Sequence, residues 1–167
     1  MREFAVRRAT VTDAGAIARV LARSYGVLYR GWYADDVLRT ALPVMSRSNP
    51  TLIDSGRYFV AEADGQIVAC GGWSAEKPGF GAVPRLAHVR HFATDPDYIN
   101  RGCGGAILTR SVAEAARTGF VEMEAVSSLT AEAFYARHGF VQVSMVRTIV
   151  AGSAFSCVLM RRRLEGA

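Results

Sequence analysis

Apolar and polar positions along the 167-residue chain change period several times, and each change marks an element. Residues 4–8 alternate apolar and polar, the period of a half-buried strand. After them Ile17, Val20, Leu21 and Tyr25 recur at helical spacing, with Thr10 or Thr12 placed to cap the helix. The spacing predicts a second helix over 34–42, ended by Pro43. A loop is expected over 46–56, where Asn, Pro, Asp and Gly cluster. Residues 57–63 and 66–74 read as the strands of a hairpin turning at Asp64-Gly65. Residues 77–84, rich in Gly and Pro, read as a loop, and 86–94 as a strand stopped by Asp95-Pro96-Asp97. A helix from about Gly104 to Thr118 turns Ala106, Ile107, Val112 and Ala115 or Ala116 to the core and ends at Gly119. Residues 120–127 form a strand, and 130–138 a short helix closing on Gly139. The last two strands, 141–150 and 154–162, are joined through Gly152.

The resulting order is β-α-α-β-β-β-α-β-α-β-β. Hairpins come first and helical crossovers later, which predicts a mixed sheet and the α+β (mixed α/β) class. Neither an internal repeat nor a low-complexity linker interrupts the chain, so one domain over 1–167 is expected. Half of the residues are hydrophobic and 21% are charged, the balance of a globular protein. With no apolar run long enough to span a bilayer and no signal-peptide layout at Met1-Arg2-Glu3-Phe4, a cytoplasmic location is expected. Cys70, Cys103 and Cys157 lack metal-ligand spacing and read as packing residues. Cys103 stands apart, because a helix N-terminus there would favour its thiolate.

Net charge is +5, and among the 20 basic residues Lys77 is the single lysine. Arginine suits bidentate contact with phosphate. The arginines are scattered apart from Arg161-Arg162-Arg163, which argues for an anionic small ligand over a nucleic acid. The segment that fits such a ligand is Arg101-Gly102-Cys103-Gly104-Gly105-Ala106, running directly into a helix. Small residues allow close approach of the backbone, and the first N–H groups of a helix lack internal partners. Together with the helix dipole they make an anion site. A P-loop would need a following lysine, and none is near. A dinucleotide fingerprint would need a third glycine where Ile107 stands, although Glu122 lies where a ribose-binding acid would.

In Ile99-Asn100-Arg101-Gly102-Cys103-Gly104, the Asp95-Pro96 before it and Phe134-Tyr135 followed by Gly139-Phe140, the chain resembles the GNAT N-acetyltransferase superfamily. Its cofactor motif reads Gln/Arg-x-x-Gly-x-Gly/Ala, so Ile99 departs from it at the first position. The resemblance implies a central splayed, mixed sheet of about seven strands with about four helices. It implies acetyl-coenzyme A as cosubstrate, no metal, and transfer of acetyl to a primary amine. The match assigns pyrophosphate binding to Arg101, Gly102, Cys103, Gly104 and Gly105, with Ala106 at the helix start. Phe92, Ala93 and Thr94 would pair with pantetheine, the Phe92 amide polarising the thioester carbonyl. The partners it implies are a small-molecule or peptide amine and a homodimer, with neither nucleic acid nor membrane.

Amine acetylation needs a base for the amine and an acid for the departing thiolate. Tyr135 matches the family's acid, a phenol protonated at neutral pH. His88, four residues before Phe92 where many relatives place a glutamate, is the base candidate, with Glu122 and Glu124 as rivals. Alternation puts His88, Arg90 and Phe92 on one strand face and His91 on the other, unless a bulge breaks the parity. Thr130 reads as a helix cap, where many relatives carry an asparagine. Tyr25, Tyr29, Trp32, Tyr33 and Trp73 are candidates for the acceptor side, where aromatic rings would hold an apolar or cationic amine. A non-catalytic acyl-coenzyme A-binding or regulatory domain is the alternative.

Overall fold

The computed structural model describes residues 3–165. β1 (Ala5–Arg8) leads through a 3-10 turn (Val11–Asp13) to α1 (Ala14–Leu28), α2 (Asp35–Met45) and α3 (Pro50–Asp54). Then come β2 (Tyr58–Ala63), β3 (Gln66–Ser74), the short β4 (Glu76–Lys77) and β5 (Gly81–Ala82), and β6 (Leu86–Thr94). A second 3-10 turn (Pro96–Tyr98) precedes α4 (Cys103–Arg117), β7 (Glu122–Ser128), α5 (Glu132–Arg137), β8 (Val141–Val150) and β9 (Ser153–Arg163). Seven strands form one mixed sheet in the order β1-β2-β3-β6-β7-β9-β8. β6 and β7 run parallel because α4 carries the chain back across the sheet, and the other pairs in that sheet are antiparallel.

Strand alternation divides the core between two faces. Phe59, Ala61, Trp73, Ala87 and Met123 pack beneath α4 and α5, with Ile107, Leu108, Val112 and Tyr135. Tyr58, Val60, Cys70 and Phe155 face the other way, against Ile17, Val20, Leu21 and Tyr25 of α1 and Leu38 and Ala41 of α2. Burying one such side chain contributes about 1.5–3 kcal/mol, so α1 and α4 are held mainly by these stripes.

The structure departs from the sequence expectations at several places. Pro43 does not end α2 but sits in its last turn, where its missing N–H costs a single helical bond. Within the expected loop over 46–56 lies α3, started by Pro50 at its first turn and capped by Asn49, whose Oδ1 accepts from Leu52 N at 3.1 Å. The Gly- and Pro-rich stretch after β3 contains the small hairpin β4–β5. α4 begins at Cys103, one residue early, and Ala106 is only half-buried.

The α1 entrance is held by Asp13, whose carboxylate accepts from the Thr10 backbone N–H at 2.8 Å and pairs with Arg7 at 2.8 Å. Arg7 also reaches Glu62 of β2, so the 3-10 turn is tied to two strands. The Arg7 guanidinium, then the Thr10 amide, hold the Asp13 carboxyl below the usual carboxylate range despite its burial. A depressed native pKa contributes stability above the unfolded value and loses it as pH falls through the native one. Asp13→Ala is expected to lower the unfolding free energy by about 1–2 kcal/mol at pH 7. Urea denaturation of both proteins across pH 3–7 should show that gap narrowing below about pH 4.

Candidate active site

β6 and β7 are paired over only three positions, Leu86↔Glu122, Ala87↔Met123 and His88↔Glu124. Beyond His88, β6 stays with β3 as far as Thr94↔Ala69, while β7 stays with β9 as far as Ser128↔Cys157. The two strands therefore part in a V, and residues 89–94 present a strand edge with no strand opposite. The V opens into a cleft of about 910 Å³ lined by Phe92, Ala93, Thr94, Val126, Ser127 and Ser128 from its two sides.

Within the V, β6 carries a bulge. Gly71 lies between the pairs Cys70↔Ala93 and Gly72↔Arg90, so two residues of β6 oppose one of β3. His91 has a φ of +56°, left-handed for a residue with a side chain. Ala87 and Val89 face α4, but the bulge turns His91 to α1 and returns Phe92 to the α4 side. The expected parity is thus reversed at this point, and His88 and Phe92 lie on opposite faces. The ring of Phe92 crosses Gly71, where a Cβ would stand 2.6 Å from ring carbons.

The glycine turn closes one end of the cleft. Gly102 caps α4 with a φ of +86°, and the first helical bond is Ala106 N–H to Gly102 O at 2.9 Å. The N–H groups of Cys103, Gly104 and Gly105 consequently have no partner within the helix. A Cβ on Gly104 would meet Thr94 Oγ1 at 3.2 Å, and one on Gly105 would meet His138 Nε2 at 2.8 Å. Thr130 does not cap α5. Ser128 Oγ accepts from Ala131 N instead, and Thr130 Oγ1 is buried at the cleft wall without a partner.

Tyr135 lines the cleft from α5, 6% exposed, its ring edge-on to Phe92 at 6.3 Å. Burial, then the neighbouring Tyr29, push its phenol above the ordinary value, so it is a proton donor throughout the neutral range. Tyr25, Tyr29 and Trp32 line the same cleft, Tyr25 stacked on Tyr29 at 4.8 Å. Burial raises Tyr29 to about 12.

Other expected site residues lie elsewhere. Tyr33 stacks on Phe155 at 4.0 Å and its hydroxyl bridges Leu129 N and Ser156 O, behind the cleft wall. Trp73 is wholly buried against Phe120 under the Arg57 guanidinium, a core residue away from the cleft. Arg101 lies over the Tyr98 ring at 4.9 Å, outside the lining that Ile99, Asn100 and Gly102 supply. His88 is 3% exposed at the closed end of the V and does not reach the cleft lining. Its Nδ1 stands 3.8 Å from Glu124 Oε1, and Glu124 is engaged by Arg161 at 3.0 Å and Lys77 at 3.3 Å. Burial lowers the His88 pKa, partly offset by Glu124. Cys103 is buried at the start of α4, and burial raises its pKa against the pull of Arg101, opposite to the expected shift toward thiolate. Cys70 and Cys157 are likewise buried and free.

The family model for the acetyltransferase (GNAT) domain matches residues 54–142, from the end of α3 into β8. The chain belongs to the GNAT acetyltransferase family. That stretch of this GNAT domain holds the bulge, the glycine turn and Tyr135. No curated protein matches the chain. Among solved structures, it is similar to a GCN5-related N-acetyltransferase (aminotransferase, class-II) from Rhodopseudomonas palustris. The TM-score is 0.82 at 18% identity, covering 98% of each chain. The PaiA N-acetyltransferase of Thermoplasma acidophilum, solved in complex with coenzyme A, gives 0.73 at 14% identity, covering 96% of this chain and 99% of that one. The ribosomal-protein-S18-alanine N-acetyltransferase of Escherichia coli gives 0.67 at 16%, covering 99% and 96%. At such identities the likeness shows the mixed, seven-stranded GNAT fold.

The glycine turn of this GNAT domain is directly testable. A left-handed residue with a Cβ costs about 1–2 kcal/mol, so Gly102→Ala should lower the urea-unfolding free energy by about that amount. Gly102→Asn, which tolerates the same backbone, should recover part of it.

Proposed function

We propose that the protein transfers the acetyl group of acetyl-coenzyme A directly to a primary amine, both substrates being held at once in the β6–β7 cleft. The observation that carries this reading is the junction of three features in one cleft: an unpaired β6 edge, the free amides opening α4, and a buried tyrosine between them. The fold and family support acetyl transfer generally; the acceptor and the assignment of roles are the proposal.

The residues present fit coenzyme A. The amides of Gly102, Cys103, Gly104 and Gly105 would hold pyrophosphate at the positive end of the 15-residue α4. The β6 edge at Phe92, Ala93 and Thr94 would pair with the amide groups of pantetheine, as a peptide pairs with a sheet edge. Bound there, the cosubstrate supplies an acetyl group activated as a thioester. The Phe92 N–H would polarise its carbonyl; such a preorganised donor contributes about 2.7–4 kcal/mol to lowering a barrier. Tyr135 would protonate the departing thiolate. The acceptor would enter against Tyr25, Leu28, Tyr29, Trp32 and Met45, an aromatic and apolar wall that suits an amine carried on an apolar body.

A thiol-release assay with acetyl-coenzyme A against a panel of amines tests the reading. Calorimetry should show coenzyme A binding, and at least one amine should release free thiol. Binding without turnover on any amine would assign the chain to non-catalytic acyl-coenzyme A binding. Tyr135→Phe is expected to reduce kcat by about 10²-fold or more and leave coenzyme A affinity unchanged. Undiminished turnover of that variant with chemistry rate-limiting would remove the acid role.

A further inference from the structure

Three hydrogen bonds converge on the bulge of β6. Tyr58 Oη donates to the His91 carbonyl at 2.7 Å, and Tyr25 Oη donates to the Phe92 carbonyl at 3.1 Å. The third joins His91 Nε2 to the Met45 carbonyl at 2.8 Å, across to the last turn of α2. A carbonyl only accepts, so Nε2 must carry the hydrogen, and the neutral ring keeps its lone pair on Nδ1. The ring lines the cleft. Among the described residues no group hydrogen-bonds Nδ1, and it is not one of the buried atoms left without a partner. It is therefore open to the cleft. The left-handed φ of His91 is a strain that the surrounding bonds enforce, and such strain clusters at functional sites.

The other histidines are placed differently. His88 Nε2 is buried without a partner and its ring lies off the lining. His138 lines the cleft, but against the glycine turn, with Nδ1 at 2.8 Å from the Phe134 carbonyl. His91 adjoins Phe92, the residue at which the proposed chemistry takes place, and Tyr25 and Met45 of the acceptor wall.

We infer that His91 Nδ1 is the base that takes the proton from the acceptor nitrogen. This rests on the acetyl-transfer reading. As the nitrogen forms its bond to the acetyl carbon, the carbon–sulfur bond breaks with its electron pair left on sulfur. The nitrogen's proton goes to His91, and sulfur takes the proton of Tyr135. Solvent returns the one proton and removes the other, so the amine and the thioester yield an amide and a free thiol.

The groups packed around the ring hold their charge states while His91 titrates. Tyr25 from α1 and Tyr58 from β2 are pushed well above 10 by burial, and Cys70 from β3 is raised to about 12. Arg90 on β6 is the neighbouring cation, and α2 presents the Met45 carbonyl. Burial, then Arg90 against the Met45 bond, lowers the His91 pKa below its ordinary 6.5, so the ring is neutral at pH 7.

The test pairs ring NMR with kinetics. Nitrogen-15 spectra of the histidine rings in the unliganded protein should show His91 with hydrogen on Nε2 at pH 7.5, titrating below 6.5. Hydrogen on Nδ1 would overturn the proposal. His91→Asn, which tolerates the left-handed backbone, should reduce kcat by about 10²-fold, abolish the acidic limb of the pH–rate profile and leave coenzyme A affinity unchanged. Full turnover of His91→Asn with its acidic limb intact, or loss of that limb in His88→Gln instead, would also overturn it. A wild-type protein that turns over no amine sinks the acetyl-transfer reading itself, a separate outcome.

Discussion

The brevity of the β6–β7 pairing governs this molecule. Three residue pairs hold the strands together; beyond them β6 follows β3 and β7 follows β9, and the two diverge. A parallel pair that continued would have filled the sheet and left nothing between. Because it stops at His88↔Glu124, a strand edge is left open in the middle of the sheet, where it is shielded from edge-to-edge association. The helices that follow the two strands then complete the cleft. α4 begins at one side of the opening with its free amides, and α5 sits over the other side with Tyr135.

The closed end of the V has its own logic. His88 and Glu124 face each other where the strands are still paired, with Arg161 and Lys77 neutralising the carboxylate. A buried carboxylate is tolerated only with such partners. This cluster sits at the last paired position, where the splay begins, and Arg161 and Lys77 are engaged there with Glu124. The open end is built from uncharged donors and acceptors. There, the hydroxyls of Tyr58 and Tyr25 fasten the carbonyls of His91 and Phe92, which fixes the direction of the peptide between them, and the His91 ring bonds the Met45 carbonyl.

Much of this was legible in the chain. The continuous apolar run through Phe59, Val60 and Ala61 and the Asp64-Gly65 turn located the hairpin, because β2 buries both faces between helices. The glycine turn was legible because Gly102 is forced to a positive φ and Gly104 and Gly105 are crowded by Thr94 and His138. α3 was missed because Asn49 and Pro50 were read as loop formers, when Asn before Pro is equally a cap and a first helical residue. The face of His91 was left open in the chain, since the presence or absence of one bulge decides every later position of the strand. Trp73 was taken for a substrate ring because residue type says nothing about which sheet face it occupies. Its position on the α4 side makes it core. Cys103 shows a competition the sequence does not display: the helix end favours a thiolate, and burial outweighs it.

The burial of the three cysteines has a chemical consequence. Thiol–disulfide exchange proceeds through the thiolate of the attacking sulfur and depends on access. Cys70, Cys103 and Cys157 are each nearly inaccessible and each held protonated by burial. Cys103 and Cys157 border the space in which a free thiol product would be generated. Buried and with raised pKa values, these sulfurs are poor attackers on a disulfide formed from such a product.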